Sequence, residues 1–316
     1  MKYVKILLLV VALVYLNNAS WLRSVPDAEL RFLAHRGVHQ NFSKAGITGQ
    51  SCTASRIEAP SHQYLENTLD SIDQAFALGA DIVEVDIHPT ADGRFVVFHD
   101  WTIDCRTEGK GVTREQTLSY LKSLDIAYGY TADEGKSYPL RGTGIGKMPS
   151  LAEVLDRFPE QKFLINIKSN DPVEADLINA FLAQRPGENL GRLSFYGGQL
   201  PTSRLRQLNP SLSGFTNASV KRCAIRYLLL AWTGYLPESC RDTTVAIPID
   251  YAPYFWGWPR LFVSRMHNAN SQVILLDMSH GHTDGIDDPD LVHSLAPDFR
   301  GIIWTDKIEQ LESKND

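Results

Sequence analysis

Two histidines and a pair of carboxylates carry the side chains and the spacing that acid–base and cation chemistry require. His35 lies in Ala34-His35-Arg36-Gly37 and His99 in His99-Asp100, and imidazole gives or takes a proton near neutral pH. Glu84 and Asp86 are two residues apart in Glu84-Val85-Asp86; on a strand that spacing puts both carboxylates on one face, where they can share a hard cation such as Mg²⁺ or Ca²⁺. Such an ion polarises a phosphoryl oxygen or activates a nucleophile. Arg36 offers a planar fork for phosphate oxygens and Lys168 a point charge. Each motif taken singly has a plainer counterpart: a structural histidine, a solvated strand end, a cation paired with a carboxylate.

These residues need elements that bring them together. Short β-rich apolar runs at 32–36, 81–88, 163–168, 193–196, 213–216, 244–249, 272–277 and 301–304 alternate with amphipathic helical stretches, the pattern of a parallel sheet with crossover helices. Eight such units in 316 residues predict an α/β TIM (β/α)8 barrel, whose catalytic rim lies at the C-terminal strand ends. His35, Glu84, Asp86 and Lys168 fall at such ends. A further strand, 94–99, follows Ala91-Asp92-Gly93 and predicts a β-hairpin extension. Asn67 is expected to cap the helix carrying Leu69, Ile72, Ala75 and Phe76, which Gly79 ends, and Ser150 with Glu153 spells a capping box. Long irregular stretches at 38–65 and 127–148 are expected as functional rim loops.

Composition narrows the partners. A net charge of −6, from 37 acidic and 31 basic residues spread along the chain, provides no basic stripe for nucleic acid. Lys2 and Lys5 precede an apolar run at 6–16, which reads as a signal peptide or an N-terminal membrane anchor over 1–22, ahead of one catalytic domain over 23–316. Lysines at the N-terminus would keep that end in the cytoplasm and place the rest across the membrane, facing the periplasm or extracytoplasmic space, or secreted after cleavage. Four cysteines form an even set suited to an oxidising compartment, with no CxxC pair or zinc spacing. The aromatic stretch Tyr251, Tyr254, Phe255, Trp256, Trp258 and Phe262 is able to line an acyl-chain groove, touch a bilayer, or pack a loop on the rim. The helix at 220–232, with Leu228-Leu229-Leu230, is too short to span and reads as barrel packing; His280-Gly281-His282 reads as loop.

In order and spacing, the chain resembles the glycerophosphodiester phosphodiesterase family over nearly its whole length after the leader. The motifs are Glu66-Asn67-Thr68, Gly79-Ala80-Asp81, Glu84-Val85-Asp86, Thr90-Ala91-Asp92-Gly93, His99-Asp100, Arg106-Thr107, Met148-Pro149-Ser150-Leu151 and Gly301-Ile302-Ile303-Trp304-Thr305-Asp306. The resemblance implies a metal-dependent barrel hydrolase that cleaves glycerophosphodiesters to a glycerol phosphate and an alcohol. His35 and His99 match its acid and base, in either order. Glu84 and Asp86 match its metal ligands, and Arg36, Glu66, Lys168 and Trp304 its substrate contacts. One departure stands out: the family's Glu-x-Lys on the third main strand reads Asn166-Ile167-Lys168 here. Asn166 still offers a carbonyl oxygen, with one negative charge fewer. Lysophospholipase D action on lysophospholipids, or non-catalytic phosphodiester or lipid binding, are the alternatives. The segment between His35 and Glu66 is longer than in simpler members and is expected to cap the pocket, with Cys52–Cys105 and Cys223–Cys240 as the disulfide pairing.

Overall fold

The computed structural model describes residues 2–48, 51–279 and 281–311. The strands are β1 (Arg31–His35), β2 (Ile82–Pro89), β3 (Phe95–Val97), β4 (Lys162–Ile167), β5 (Leu193–Gly197), β6 (Ser213–Gly214), β7 (Thr244–Pro248), β8 (Gln272–Leu276) and β9 (Ile302–Thr305). All but β3 are parallel and follow the order β6-β5-β4-β2-β1-β9-β8-β7, a nearly closed TIM barrel with β6 and β7 at its two edges. β3 pairs antiparallel with β2 across the Ala91-Asp92-Gly93 turn, forming the hairpin extension. Every residue of β2 is buried, as expected of a strand covered on both faces.

The helices are α1 (Lys2–Asn17), α2 (Leu69–Ala77), α3 (Leu118–Ser123), α4 (Leu151–Arg157), α5 (Val173–Ala183), α6 (Gln199–Leu208), α7 (Asn217–Leu230), α8 (Arg260–His267) and α9 (Pro289–Leu295). Two apolar layers result. Leu33, Ile82, Leu164, Phe215, Ile274, Ile302 and Trp304 fill the barrel interior, while the outward residues of the strands pack against the helices in a larger core. Alternation along each strand separates the two sets.

Local chemistry moves some boundaries from their expected places. Thr68, not Asn67, caps α2 in a capping box with Ser71; Asn67 adopts a left-handed φ of 59°, and its amide bridges to β2 instead. The strand expected at 213–216 stops at Gly214, because Thr216 already serves as the N-cap of α7. Ser150 and Glu153 do form their capping box. α7 buries Cys223 and Tyr227 in the core, but the Leu228-Leu229-Leu230 run is exposed rather than packed on the barrel. α1 buries none of its side chains, and at 16 residues it spans about 24 Å. Among the described residues no helix is long and apolar enough to cross a membrane.

The long stretches at 38–65 and 98–148 share a third core, built from Ala54, Ile57, Leu65, Ile103, Leu121, Ile126 and Tyr130 among others. Disulfides join Cys52 to Cys105 and Cys223 to Cys240; the first ties this rim lobe together over 53 residues of chain. Cross-linking restricts the unfolded chain, so Cys52→Ser combined with Cys105→Ser is expected to cost roughly 2–4 kcal/mol of stability. Urea unfolding with Cys223–Cys240 intact measures it; an unmoved midpoint would show that the lobe core alone holds the segment.

Candidate active site

The chain turns sharply as it leaves β1. Arg36 takes φ 63° and Gly37 φ 77°, a pair of left-handed residues that is rare outside glycine and persists only where surrounding contacts enforce it. The enforcing contacts are visible: Arg36 N donates to Glu84 O, and Arg36 O accepts from Asn67 N and Ser71 Oγ. A Cβ on Gly37 would stand 2.8 Å from the Ser71 backbone, so only glycine fits. The turn folds the Arg36 guanidinium back over the end of β2.

Beneath it lie Glu84 and Asp86, both fully buried. Parallel register sets His35 beside Glu84, Asp86 beside Asn166, and Asn166 beside Tyr196. Asp86 is saturated with donors. Its Oδ1 accepts from Asn166 Nδ2 at 2.9 Å and faces Lys168 Nζ at 3.3 Å, while its Oδ2 accepts from Asn67 Nδ2 at 3.1 Å and faces Arg36 Nε at 3.3 Å. Glu84 Oε1 accepts from Tyr196 OH at 2.7 Å. Its Oε2 is buried, accepts no hydrogen bond among the described residues, and lies 3.9 Å from His35 Nε2. Burial and the neighbouring Asp86 raise the Glu84 carboxyl well above the usual range. Lys168, His99 and Arg36 overcome burial to hold Asp86 well below it.

Each candidate catalytic histidine has a carboxylate behind it. His35 Nδ1 is 2.6 Å from Asp306 Oδ1, and its Nε2 accepts from Arg36 Nε at 3.1 Å, so the ring proton belongs on Nδ1. Burial, with Arg36 alongside, lowers its pKa to about 4 despite Asp306. His99 Nδ1 is 2.7 Å from Asp100 Oδ1, and burial with Arg36 lowers its pKa as well. Asp100 Oδ2 accepts from Arg106 Nε at 2.9 Å, and Arg106 also meets Glu66 at 3.2 Å and donates to Thr53 at 2.7 Å. Glu66 thus bridges Arg106 and Arg36, the latter also at 3.2 Å.

His35, Arg36, His99 and Asp306 line one cavity of about 330 Å³, together with Phe42, Ile47, Thr48, Ser51 and Thr53 of the long 38–65 segment, which therefore walls the site. Glu84, Asp86, Asn166, Lys168 and Glu66 sit behind this surface, and Trp304 is buried with its ring 4.9 Å from that of His35. Sequence reasoning missed several members. Asp306 stood in a recognised landmark but without a role; Lys44, which reaches Asp306 at 2.7 Å and Asp284 at 3.0 Å, had no signal at all. His39 and His282, the latter read as loop, line the same cavity; His280 lies outside the described residues.

Glu84 and Asp86 with Asn166 have the oxygen chemistry that a hard cation takes, and the unsatisfied Glu84 Oε2 is an oxygen suited to one. Two features limit the fit. Asp86 is already engaged by Arg36 and Lys168, and Asn166 presents its nitrogen to Asp86 while its carbonyl oxygen faces Gly197, contrary to the expected oxygen ligand. The amide has to turn over to coordinate. A second ligand group, His35, His39 and Asp306, brings its atoms within 4.8 Å of one another, but Asp306 there already serves Lys44.

The Glu66 bridge has a pH signature. Against burial, Arg106 and Arg36 hold its carboxyl down to about 2 from an ordinary 4.5. A depressed carboxylate stabilises the fold above its unfolded value and loses that contribution as pH falls through the folded one, here between about 4.5 and 2, a change on the order of 3 kcal/mol. Glu66→Gln is expected to flatten unfolding free energy against pH in that window; an unchanged slope would assign the acid sensitivity elsewhere.

Comparison with known proteins places this geometry. Residues 35–182 match the glycerophosphoryl diester phosphodiesterase family. A glycerophosphodiester phosphodiesterase of Caldanaerobacter subterraneus is 35% identical over 103 residues, 33% of this chain and 39% of that protein. A rat lysophospholipase D is 30% identical over 131 residues, 40% of this chain and 39% of the relative. The chain thus spans about two fifths of the length of these curated relatives. Among solved structures, a glycerophosphodiester phosphodiesterase from Agrobacterium tumefaciens superposes with a TM-score of 0.57 at 18% identity, covering 90% of this chain and 97% of the other. An Oleispira antarctica phosphodiesterase in complex with the product sn-glycerol-3-phosphate gives 0.55 at 21%, covering 91% and 95%. These likenesses show the barrel fold. The sequence match opens on His35 itself and runs past Lys168, across every motif assembled above up to β5, and so residues 35–182 carry a domain of the glycerophosphoryl diester phosphodiesterase family.

Proposed function

We propose that the protein hydrolyses glycerophosphodiesters to a glycerol phosphate and an alcohol. The observation that carries this reading is the pair of histidines on one cavity, each backed through Nδ1 by its own carboxylate, with Arg36 lining the same wall. Asp306 keeps the His35 proton on Nδ1, so that Nε2, released by Arg36 as Arg36 turns to the phosphate, has the lone pair that accepts a proton from the attacking group. Asp100 stabilises the imidazolium form of His99, which gives its Nε2 proton to the departing alcohol and is reprotonated from solvent before the next turnover. Arg36 exchanges part of its pairing with Glu66 and Asp86 for the phosphate oxygens, Lys168 adds charge from behind, and Trp304 supports the His35 ring.

Glu84, Asp86 and Asn166 are the residues that would hold Mg²⁺ or Ca²⁺, which supplies Lewis-acid polarisation of the phosphoryl group when bound. The name of the rat relative adds lysophospholipids to the substrates to be tried. The two disulfides and the apolar α1 support an extracytoplasmic location, with α1 as leader or anchor.

The full chain, stripped by chelator and assayed on glycerophosphocholine with Mg²⁺ or Ca²⁺ restored, is expected to turn over, and His35→Ala and His99→Ala each to lose about 10²–10⁴-fold. A folded wild-type protein inert with every metal and substrate would leave phosphodiester or lipid binding as the function. Restoring the missing charge in Asn166→Glu is expected to lower the metal concentration for half-maximal activity roughly tenfold; an unchanged requirement would exclude residue 166 from the cation site.

A further inference from the structure

The barrel has a seam. β6 is two residues long and forms one sheet edge, β7 forms the other, and α7 packs across the space between them, its Val220 joining Phe215 and Ala246 in the interior cluster. Alongside α7 runs a cavity of about 570 Å³, within the range of small-molecule sites. Ala224 and Leu228 of α7, Pro248 at the end of β7, Tyr251 and Tyr254 beyond it, and Leu276 at the end of β8 give it apolar walls, and among the described residues Lys221 is the one charged side chain of its lining. Asn217 and Leu228 mark its extent along the helix, eleven residues or about 16 Å.

Both ends of this groove lead somewhere. Thr283 lines it and also lines the cavity that holds His35, Arg36 and His99, so a molecule with a phosphate at the catalytic histidines has an apolar channel one residue away. At the other end, Leu228 continues into the exposed Leu229, Leu230 and Trp232. There α1, which buries no side chain, meets the barrel: Asn18 Nδ2 donates to Trp232 O at 2.8 Å, and Arg265 Nη1 donates to Asn18 Oδ1 at 3.1 Å. Tyr251 and Tyr254 stand largely exposed beside the groove, in the manner of amphipathic rings at a lipid–water boundary. Of the rest of the aromatic stretch, Trp256 is exposed, while Phe255, Trp258 and Phe262 pack with Tyr227 and Phe299.

We infer that the groove along α7 holds the hydrocarbon chain of a monoacyl phosphodiester, a lysophospholipid entering from the membrane surface at the α1 side, while its phosphate occupies the His35–His99 cavity. The assignment rests on the phosphodiesterase reading of that cavity and adds to it a chain site and a direction of entry. An apolar groove that starts at the phosphate site and ends at an exposed apolar strip beside an unburied apolar helix matches a ligand with one charged end and one long apolar end. A soluble glycerophosphodiester uses only the first half of it.

The test measures chain and phosphate separately. Binding of monomeric octyl-, decyl- and dodecyl-phosphocholine to full-length His35→Ala is followed by calorimetry. Burial of each methylene is worth about fourfold in affinity, so each two-carbon step is expected to tighten binding about fifteenfold. Ala224→Trp, which fills the groove, and Leu228→Ser, a milder change on an exposed position, are each expected to flatten that dependence. In the active enzyme, the same substitutions should lower the ratio of kcat/KM for lauroyl-lysophosphatidylcholine over glycerophosphocholine at least tenfold. Affinity independent of chain length, or a chain-length dependence unchanged in both folded variants, overturns the chain site. Chain-dependent binding by a wild-type protein that hydrolyses neither substrate supports the groove and overturns the catalytic reading, so the two failures are distinguishable.

Discussion

Two carboxylates fully buried side by side on β2 are the constraint to which the surrounding structure answers. Removing Glu84 and Asp86 from water is costly unless they are neutralised or heavily hydrogen-bonded. The fold meets this differently for each. Asp86 stays ionised under four donors, Arg36 just after β1, Asn67 ahead of α2, Asn166 on β4 and Lys168 just after it, whereas Glu84 is pushed toward its neutral form with one oxygen that has no donor among the described residues. The left-handed backbone of Arg36, the requirement for glycine at 37 and the left-handed Asn67 all follow from bringing those donors over the end of β2. Strain in the backbone is here offset by charge balance beneath it.

The same logic extends outward into the rim lobe. Arg36 needs Glu66; Glu66 also faces Arg106; Arg106 holds Asp100 behind His99 and reaches Thr53 in the long segment after β1. On the opposite side Lys44 from that segment neutralises Asp306 behind His35. The insertion therefore contributes charge as well as cover to the cavity. Its small separate core and its disulfide, placed next to Thr53 and Arg106, keep those contacts in place. Asn166 is intelligible in this setting: with Lys168 and Arg36 already on Asp86, a neutral amide donates a further hydrogen bond where a carboxylate would add a third buried negative charge.

The seam between β6 and β7 shows how a local rule shapes a binding surface. Thr216 caps α7 two residues after β6 ends, so that strand cannot extend to pair with β7 and the helix must fill the gap. A long amphipathic helix laid in a gap buries Cys223 and Tyr227 inward and leaves its other faces to line a groove and the molecular surface. The disulfide from Cys223 to Cys240 holds the helix against the return connection to β7.

Alternating apolar runs, capping signals and the hairpin turn were enough to reveal a parallel barrel, because strand and helix periodicities are local properties of the chain. The spacing of Glu84 and Asp86 likewise put both on one strand face, and the motif order identified the segments that meet at the rim. Boundaries moved where a side chain had two possible partners. Asn67 could cap α2 or bridge to Asp86, and only the position of β2 decided for the bridge. Asn166 could turn oxygen or nitrogen to the site, and the charge on Asp86 decided for nitrogen. Lys44 and His39 carried no signal, and the aromatic stretch at 251–262 offered a groove only as one of three readings, since these roles arise from proximity between segments far apart in the chain. Sequence by itself determined which local structures were available and which chemistry they could carry; tertiary packing decided which donors each buried carboxylate received, because electrostatic pairing depends on distances through space that residue order does not encode.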